Sequence, residues 1–197
     1  MTAFAALARR VRAQIDQDHR YEHTVRVARA ADVLAQRHGV DARKARLAGM
    51  LHDLARLYSG ERLVAECTAR AMPIDEFERA HPVVLHARLG AALAREQFGI
   101  DDPEILSAIE KHTTGAAGMS ALDKVLYLAD SLEPGRKHAE RAEQWAIAWG
   151  DLDEGMRAVL HSSFGHLAEK GVAAAPQTVA AAAALGVAYE EEGVSAS

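Results

Sequence analysis

The segment Leu47-Ala48-Gly49-Met50-Leu51-His52-Asp53-Leu54-Ala55-Arg56 sets the period of the whole chain. Leu47, Leu51 and Leu54 fall at i, i+4 and i+7, which is one face of an α-helix. Upstream, Val27, Ala31 and Leu34 repeat that spacing. Downstream, Leu85, Leu89 and Leu93 follow at i, i+4 and i+8, and Leu122, Leu126 and Ala129 continue the theme. No run alternates apolar and polar residues as a strand would. The 42 alanines agree, since alanine is the best helix former and a poor strand former.

The breaks between helices are legible. His38-Gly39-Val40-Asp41 ends one helix and offers Asp41 as the next N-cap. Ser59-Gly60-Glu61 is another break, and Pro73 and Pro82 bracket a connection. Phe98-Gly99-Ile100-Asp101-Asp102-Pro103 is a stop, a turn, a cap and a proline in the first helical turn. Pro134-Gly135 stops the helix that carries Asp130, and Asp151 is placed to cap another. No linker is long enough to separate two domains. The reading is a single all-α domain over 1–190, of roughly eight to ten helices, with a frayed tail over 191–197.

Composition excludes several classes. The 197 residues are 49% hydrophobic and 26% charged, which is globular and not disordered. A net charge of −5 and a pI near 6.1 argue against a general nucleic-acid binder. The single cysteine, Cys67, rules out an internal disulfide and a cysteine-based zinc cage. No apolar run approaches the ~18 residues of a membrane span, so no membrane partner is expected. The opening residues do not read as a signal peptide, because the apolar run is short and Arg9 and Arg10 follow it. The expected compartment is the cytoplasm. A homodimer is compatible with the alanine-rich faces.

His52-Asp53 directly follows an apolar helical stretch. Imidazole and carboxylate are both good ligands for transition metals. His23 lies in Arg20-Tyr21-Glu22-His23-Thr24-Val25-Arg26, near the start of an amphipathic helix. His86 sits among apolar neighbours in Leu85-His86-Ala87-Arg88-Leu89. His112 ends a helix before the glycine-bearing loop Thr113-Thr114-Gly115-Ala116-Ala117-Gly118. Asp130 lies inside the otherwise apolar Leu126-Tyr127-Leu128-Ala129-Asp130, where a carboxylate is costly unless ion-paired or coordinated. His19, His38, His138, His161 and His166 read as surface residues, and His81 as undecided between cleft and surface. Trp145 and Trp149, at i and i+4, read as a packing pair.

The order His23, His52-Asp53, His86, His112, Asp130 resembles the HD-domain metal phosphohydrolases that hold two metals. The segments RYEHT, AGMLHDLA, LHARLGA, KHTTGAAGMS and LDKVLYLADSLEPGR are similar to the bacterial YqeK-like family, the symmetrical bis(5'-nucleosyl)-tetraphosphatases, from about His19 to about Leu185. That resemblance implies an all-helical HD fold. It also implies hydrolysis of diadenosine tetraphosphate to two ADP. His23, His52, Asp53 and Asp130 would hold one metal, and Asp53 would bridge to a second completed by His86 and His112. The ions would be iron first, with Mn, Co, Ni or Zn as alternatives. Two departures stand out: Arg56 where the family often has lysine, and Arg88 after His86-Ala87. Either would alter phosphate contacts.

Elementary chemistry is consistent with this. Adjacent helical residues point about 100° apart, so His52 and Asp53 reach different sides of a cavity. Neutral imidazoles and two carboxylates leave two divalent ions with surplus positive charge, which suits an anionic substrate and a hydroxide formed near neutral pH. A polyphosphate calls for further cations and donors. Arg136, Arg20 and Arg56 are the expected contacts, with Thr113 and Thr114 hydrogen-bonding phosphate from the glycine loop; a solvated surface charge is the alternative for each arginine. Lys124 could equally be a structural ion-pair partner. Competing functions are an HD phosphohydrolase for a deoxynucleotide, cyclic nucleotide or alarmone, and a metal- or nucleotide-binding regulatory module without turnover. The intact set of six ligand-type residues argues against the second.

Overall fold

A computed structural model describes residues 3–189. Among the described residues the chain forms eleven α-helices and one short 3-10 turn, with no strand. The helices are α1 (Ala3–Gln14), α2 (Asp18–Arg37), α3 (Ala42–Leu51), α4 (Gly60–Ala69) and α5 (Glu76–Ala80). The 3-10 turn (Pro82–Val84) leads into α6 (Leu85–Phe98), followed by α7 (Pro103–Lys111), α8 (Ala121–Leu132), α9 (Arg141–Gly150), α10 (Leu152–Glu169) and α11 (Pro176–Ala184). The all-α expectation holds. The surplus over the expected helix count is α5, a five-residue turn set by a capping box between Asp75 and Glu78 and too short for a periodic signal. The tail expected over 191–197 lies outside the described residues. No described helix is long and apolar enough to cross a membrane.

The expected caps are in place. Asp41 accepts from Arg43 N and Lys44 N at the start of α3, and Asp102 accepts from Glu104 N beside Pro103 at the start of α7. Asp151 accepts from Asp153 N and Glu154 N at the start of α10. Such caps contribute about 1 kcal/mol each by satisfying the orphan N–H groups of a first turn.

The abundant alanine has a packing role. Ala28, Ala31 and Ala35 on α2 and Ala45 and Ala48 on α3 are almost fully buried. These small side chains let the two helix backbones approach closely. At Gly49 on α3 a Cβ would lie 2.7 Å from the Ala28 Cα, so any larger residue there would push the two helices apart. Gly90 on α6 is nearly as tight, with an added Cβ 3.1 Å from the His52 carbonyl oxygen. The larger core residues, among them Leu34, Leu51, Leu85, Leu89, Ile109, Leu126 and Leu128, fill the space between α2, α3, α6, α7 and α8. The ends of these five helices gather around one cleft.

Candidate metal centre

Each helix delivers its side chain from a defined position. His23 lies in the second turn of α2, and His52 caps the C-terminus of α3. Asp53 follows in a tight turn closed by Arg56 N on the Asp53 carbonyl at 3.0 Å. His86 is the second residue of α6, and His112 caps α7. Asp130 lies in the last turn of α8. The four histidines and Asp53 are buried to within 5% of complete. The Asp130 side chain keeps 18% of its surface exposed.

The rings are oriented by what holds their Nδ1 atoms. His52 Nδ1 lies 2.8 Å from the Gly49 carbonyl, His86 Nδ1 2.5 Å from that of Val83, and His112 Nδ1 2.7 Å from that of Ile109. A carbonyl only accepts, so each Nδ1 carries the hydrogen and each neutral ring turns its Nε2 lone pair into the cleft. His23 Nδ1 lies instead 3.1 Å from a carboxylate oxygen, Oε1 of Glu133.

The Nε2 atoms converge on two carboxylates. His23 Nε2 is 3.0 Å from Asp130 Oδ1, and His52 Nε2 is 3.8 Å from the same oxygen. The Asp53 carboxylate divides its oxygens. Its Oδ2 is 3.5 Å from His52 Nε2 and 3.8 Å from His23 Nε2, while its Oδ1 is 3.5 Å from His86 Nε2 and 3.9 Å from His112 Nε2.

The donor set suits a transition-metal cation. His52 Nε2 is fully buried and has no hydrogen-bond partner among the described residues. The Nε2 atoms of His86 and His112 face each other at 3.2 Å, lone pair toward lone pair. Thr113 Oγ1 lies 3.1 Å from both, but one hydroxyl hydrogen serves one acceptor at a time. Buried acceptors left unpaired are costly, and a cation satisfies all of them together. His23, His52 and Asp130 form one cluster that could hold a metal ion, and His52, Asp53 and His112 a second; His52 belongs to both, and His86 joins through His112.

The electrostatics favour the ligand forms. Burial lowers the pKa of His52, and lowers His86 and His112 to about 4, so these rings are neutral at pH 7. At Asp130 burial pulls upward, but the His23 hydrogen bond and the nearby His52 and Arg136 outweigh it and hold the carboxyl well below its usual range. Asp53 is also lowered, burial being outweighed by His52, His112 and His86.

The expected substrate contacts divide. Arg20, Arg56, Thr113 and Arg136 line one cleft of about 310 Å³ together with His23, Asp53, His86, His112 and Asp130, while His52 lies fully buried behind them. Arg20 Nη2 donates to Asp53 Oδ2 at 2.7 Å, and Arg136 donates to Asp130 Oδ1 at 2.6 Å and to its carbonyl at 2.8 Å. Thr114 is outside the cleft: it borders a separate hollow with Pro73 and Gln177, and its hydroxyl donates to the Gly115 carbonyl. Arg88 is also directed elsewhere, onto Glu78 at 2.7 Å and the Pro73 carbonyl. Lys124 pairs with Asp153, the structural role. His81 stacks near Phe77, with ring centres 4.5 Å apart, and does not border the cleft. His19, His138, His161 and His166 are exposed, whereas His38 is half-buried with Nε2 2.8 Å from the Ala148 carbonyl. Neither tryptophan borders the cleft.

Sequence reasoning missed Glu133, Arg26, Tyr127, Ser131 and Ser163. Glu133 carried a signal: a carboxylate at a helix C-terminus opposes the helix dipole, which calls for a partner elsewhere. Tyr127 lies one helical turn before Asp130 and one before Ser131, so the Asp130 spacing points to Tyr127 directly and to Ser131 only through Tyr127. Ser163 arrives from α10 and has no local signal.

Residues 20–135 match the HD domain. The chain belongs to the HD-domain family and is a hydrolase of that family. It is 35% identical over 161 residues to the bis(5'-nucleosyl)-tetraphosphatase, symmetrical, of Bacillus subtilis, covering 82% of this chain and 86% of that protein. It is 34% identical to the protein of the same name from Halalkalibacterium halodurans, over 83% of this chain and 87% of that one. A solved structure of an HD superfamily hydrolase from Clostridium acetobutylicum, described as involved in NAD metabolism, superimposes with a TM-score of 0.89 at 31% identity, covering 94% of this chain and 97% of the other.

Proposed function

We propose that the chain hydrolyses dinucleoside tetraphosphates, diadenosine tetraphosphate first among them, to two nucleoside diphosphates, using two transition-metal ions. His23, His52, Asp53 and Asp130 would hold one ion, and Asp53, His86 and His112 the other. Iron is the first candidate, with manganese, cobalt, nickel and zinc as alternatives for a site of nitrogen and oxygen donors. The observation that carries this reading is the division of the Asp53 carboxylate, one oxygen toward His52 and His23 and the other toward His86 and His112. The names of the Bacillus subtilis and Halalkalibacterium halodurans relatives support the substrate.

Bound ions would supply Lewis acidity to a phosphoryl oxygen and make water nucleophilic near neutral pH. The protein's own groups do the rest. Guanidinium carries five N–H donors. Arg20 spends one of them on Asp53, and Arg136 two on Asp130, which leaves donors on each to grip the phosphate chain. Arg56 and Thr113 border the same space. In symmetrical cleavage, the water oxygen adds to one of the two central phosphorus atoms and the oxygen between them departs with the other. Both products are then ADP.

Purified protein incubated with diadenosine tetraphosphate and Mn(II) or Fe(II) should yield ADP alone on anion-exchange chromatography. AMP with ATP would overturn the symmetrical cut. Turnover of a cyclic nucleotide, deoxynucleotide or alarmone in preference would overturn the substrate. Binding of nucleotide with no metal-dependent turnover would leave a regulatory module.

A further inference from the structure

Three of the four cleft histidines lean on a neutral carbonyl of their own chain segment, three residues earlier. His23 alone leans on a carboxylate, and that carboxylate is itself held. Arg26 donates to both Glu133 oxygens, at 2.6 Å from Nε and 3.3 Å from Nη2, and Gly135 N donates to Oε2 at 2.5 Å. Glu133 is 2% exposed. Gly135 is required for this arrangement, because a Cβ there would lie 2.6 Å from the Arg26 guanidinium. Leu-Glu-Pro-Gly-Arg at 132–136 thus has a physical reading: Pro134 ends α8, Gly135 clears a path for Arg26, Glu133 backs His23, and Arg136 returns to Asp130.

Resting on the two-ion reading above, we infer that Glu133 is a positioning residue for His23, clamped by Arg26, and that it makes the two halves of the centre unequal, the His23 half binding its ion the more tightly. A carboxylate behind an imidazole fixes its orientation and strengthens it as a donor, more than a neutral carbonyl does. The oxygen count points the same way. The His23 half offers Asp130 Oδ1 and Asp53 Oδ2, whereas the His86 and His112 half offers Asp53 Oδ1. The first ion is therefore resident and the second is exchangeable.

The test is titration of metal-free protein with Mn(II), followed by calorimetry and by electron paramagnetic resonance, without substrate. The wild type should bind in two steps of distinct affinity, and His86→Ala should remove the weaker step alone. Glu133→Gln keeps size and an acceptor but not charge, and should weaken the tighter step about tenfold. Glu133→Ala removes both and should weaken it about a hundredfold. The weaker step should stay where it is. A merely structural Glu133 would lower the melting temperature of the metal-free protein and leave both steps unmoved, which would overturn the inference, as would a loss confined to the weaker step. Should the Glu133 variants not fold, Arg26→Lys decides: a weakened tighter step supports the clamp, and unchanged binding refutes it. A wild type that binds no Mn(II) would sink the metal reading itself, whereas normal wild-type binding with unmoved variants would sink only the role of Glu133.

Discussion

Gly49→Ala should damage the site more than the fold. An added Cβ lies 2.7 Å from Ala28 Cα, 3.0 Å from Ala28 N and 3.3 Å from Ala28 Cβ, where ordinary contact begins at 3.4 Å. The two closest atoms are backbone, so no rotamer change relieves them. Helices α2 and α3 must part by about 0.7 Å. Overpacking of this kind costs about 1–3 kcal/mol, and replacing a helical glycine by alanine returns about 1 kcal/mol. The net loss is about 1 kcal/mol, a few degrees in melting temperature for a domain of this size. The site is less tolerant. His23 rides on α2, while His52 hangs by its Nδ1 on the carbonyl of Gly49 itself. Ligand geometry must hold within about 0.5 Å, and a displacement near 1 Å costs on the order of 100-fold in rate. Thermal melts of the metal-free protein by circular dichroism, beside Mn(II) affinity and steady-state turnover of diadenosine tetraphosphate, separate the two effects. A drop in kcat/KM of about ten- to a hundredfold with only a small melting shift is expected. An unchanged metal affinity with a raised melting temperature would refute the close crossing of α2 and α3.

Other outcomes follow from single contacts. His86 and His112 titrate at about 4 in the folded chain against 6.5 when unfolded, so the unfolded chain takes up their protons first as pH falls. Stability of the metal-free protein should be full above pH 6.5 and fall toward pH 4, by up to about 3 kcal/mol per histidine, in urea midpoints measured across that range; a flat profile would contradict it. Arg136→Ala should lower kcat/KM for diadenosine tetraphosphate about ten- to a hundredfold through loss of a charged hydrogen bond, whereas Thr114→Ala, outside the cleft, should leave it unchanged. His166→Ala should leave activity and metal content unaltered, since the residue is exposed and its contact is a weak ion pair with Glu169.

The helices were legible because most run two turns or more with leucine and alanine at helical spacing. The caps were legible because aspartate and proline mark first turns locally. The six candidate ligands stood out since a histidine or carboxylate in an apolar stretch is conspicuous. What escaped depends on contacts made far along the chain. Glu133 meets His23 across 110 positions and Arg26 across 107, which no local pattern encodes. Thr113 and Thr114 look equivalent in sequence, yet successive residues of the turn after α7 face opposite ways, and only Thr113 meets the histidines. Arg88 stands two residues from His86, which on a helix places it on another face. The tightness of α2 against α3 is visible only once Gly49 and Ala28 are seen opposite each other.

Asp53 turns one carboxylate oxygen toward His23 and His52 and the other toward His86 and His112, so its removal is the sharpest probe of the proposed centre. Elemental analysis of protein dialysed to equilibrium against saturating Mn(II), with the free metal outside subtracted, should find two ions per chain in the wild type and almost none in Asp53→Ala, with helicity retained by circular dichroism. Full metal content in Asp53→Ala, or none in the wild type, would contradict a two-ion centre bridged by that carboxylate.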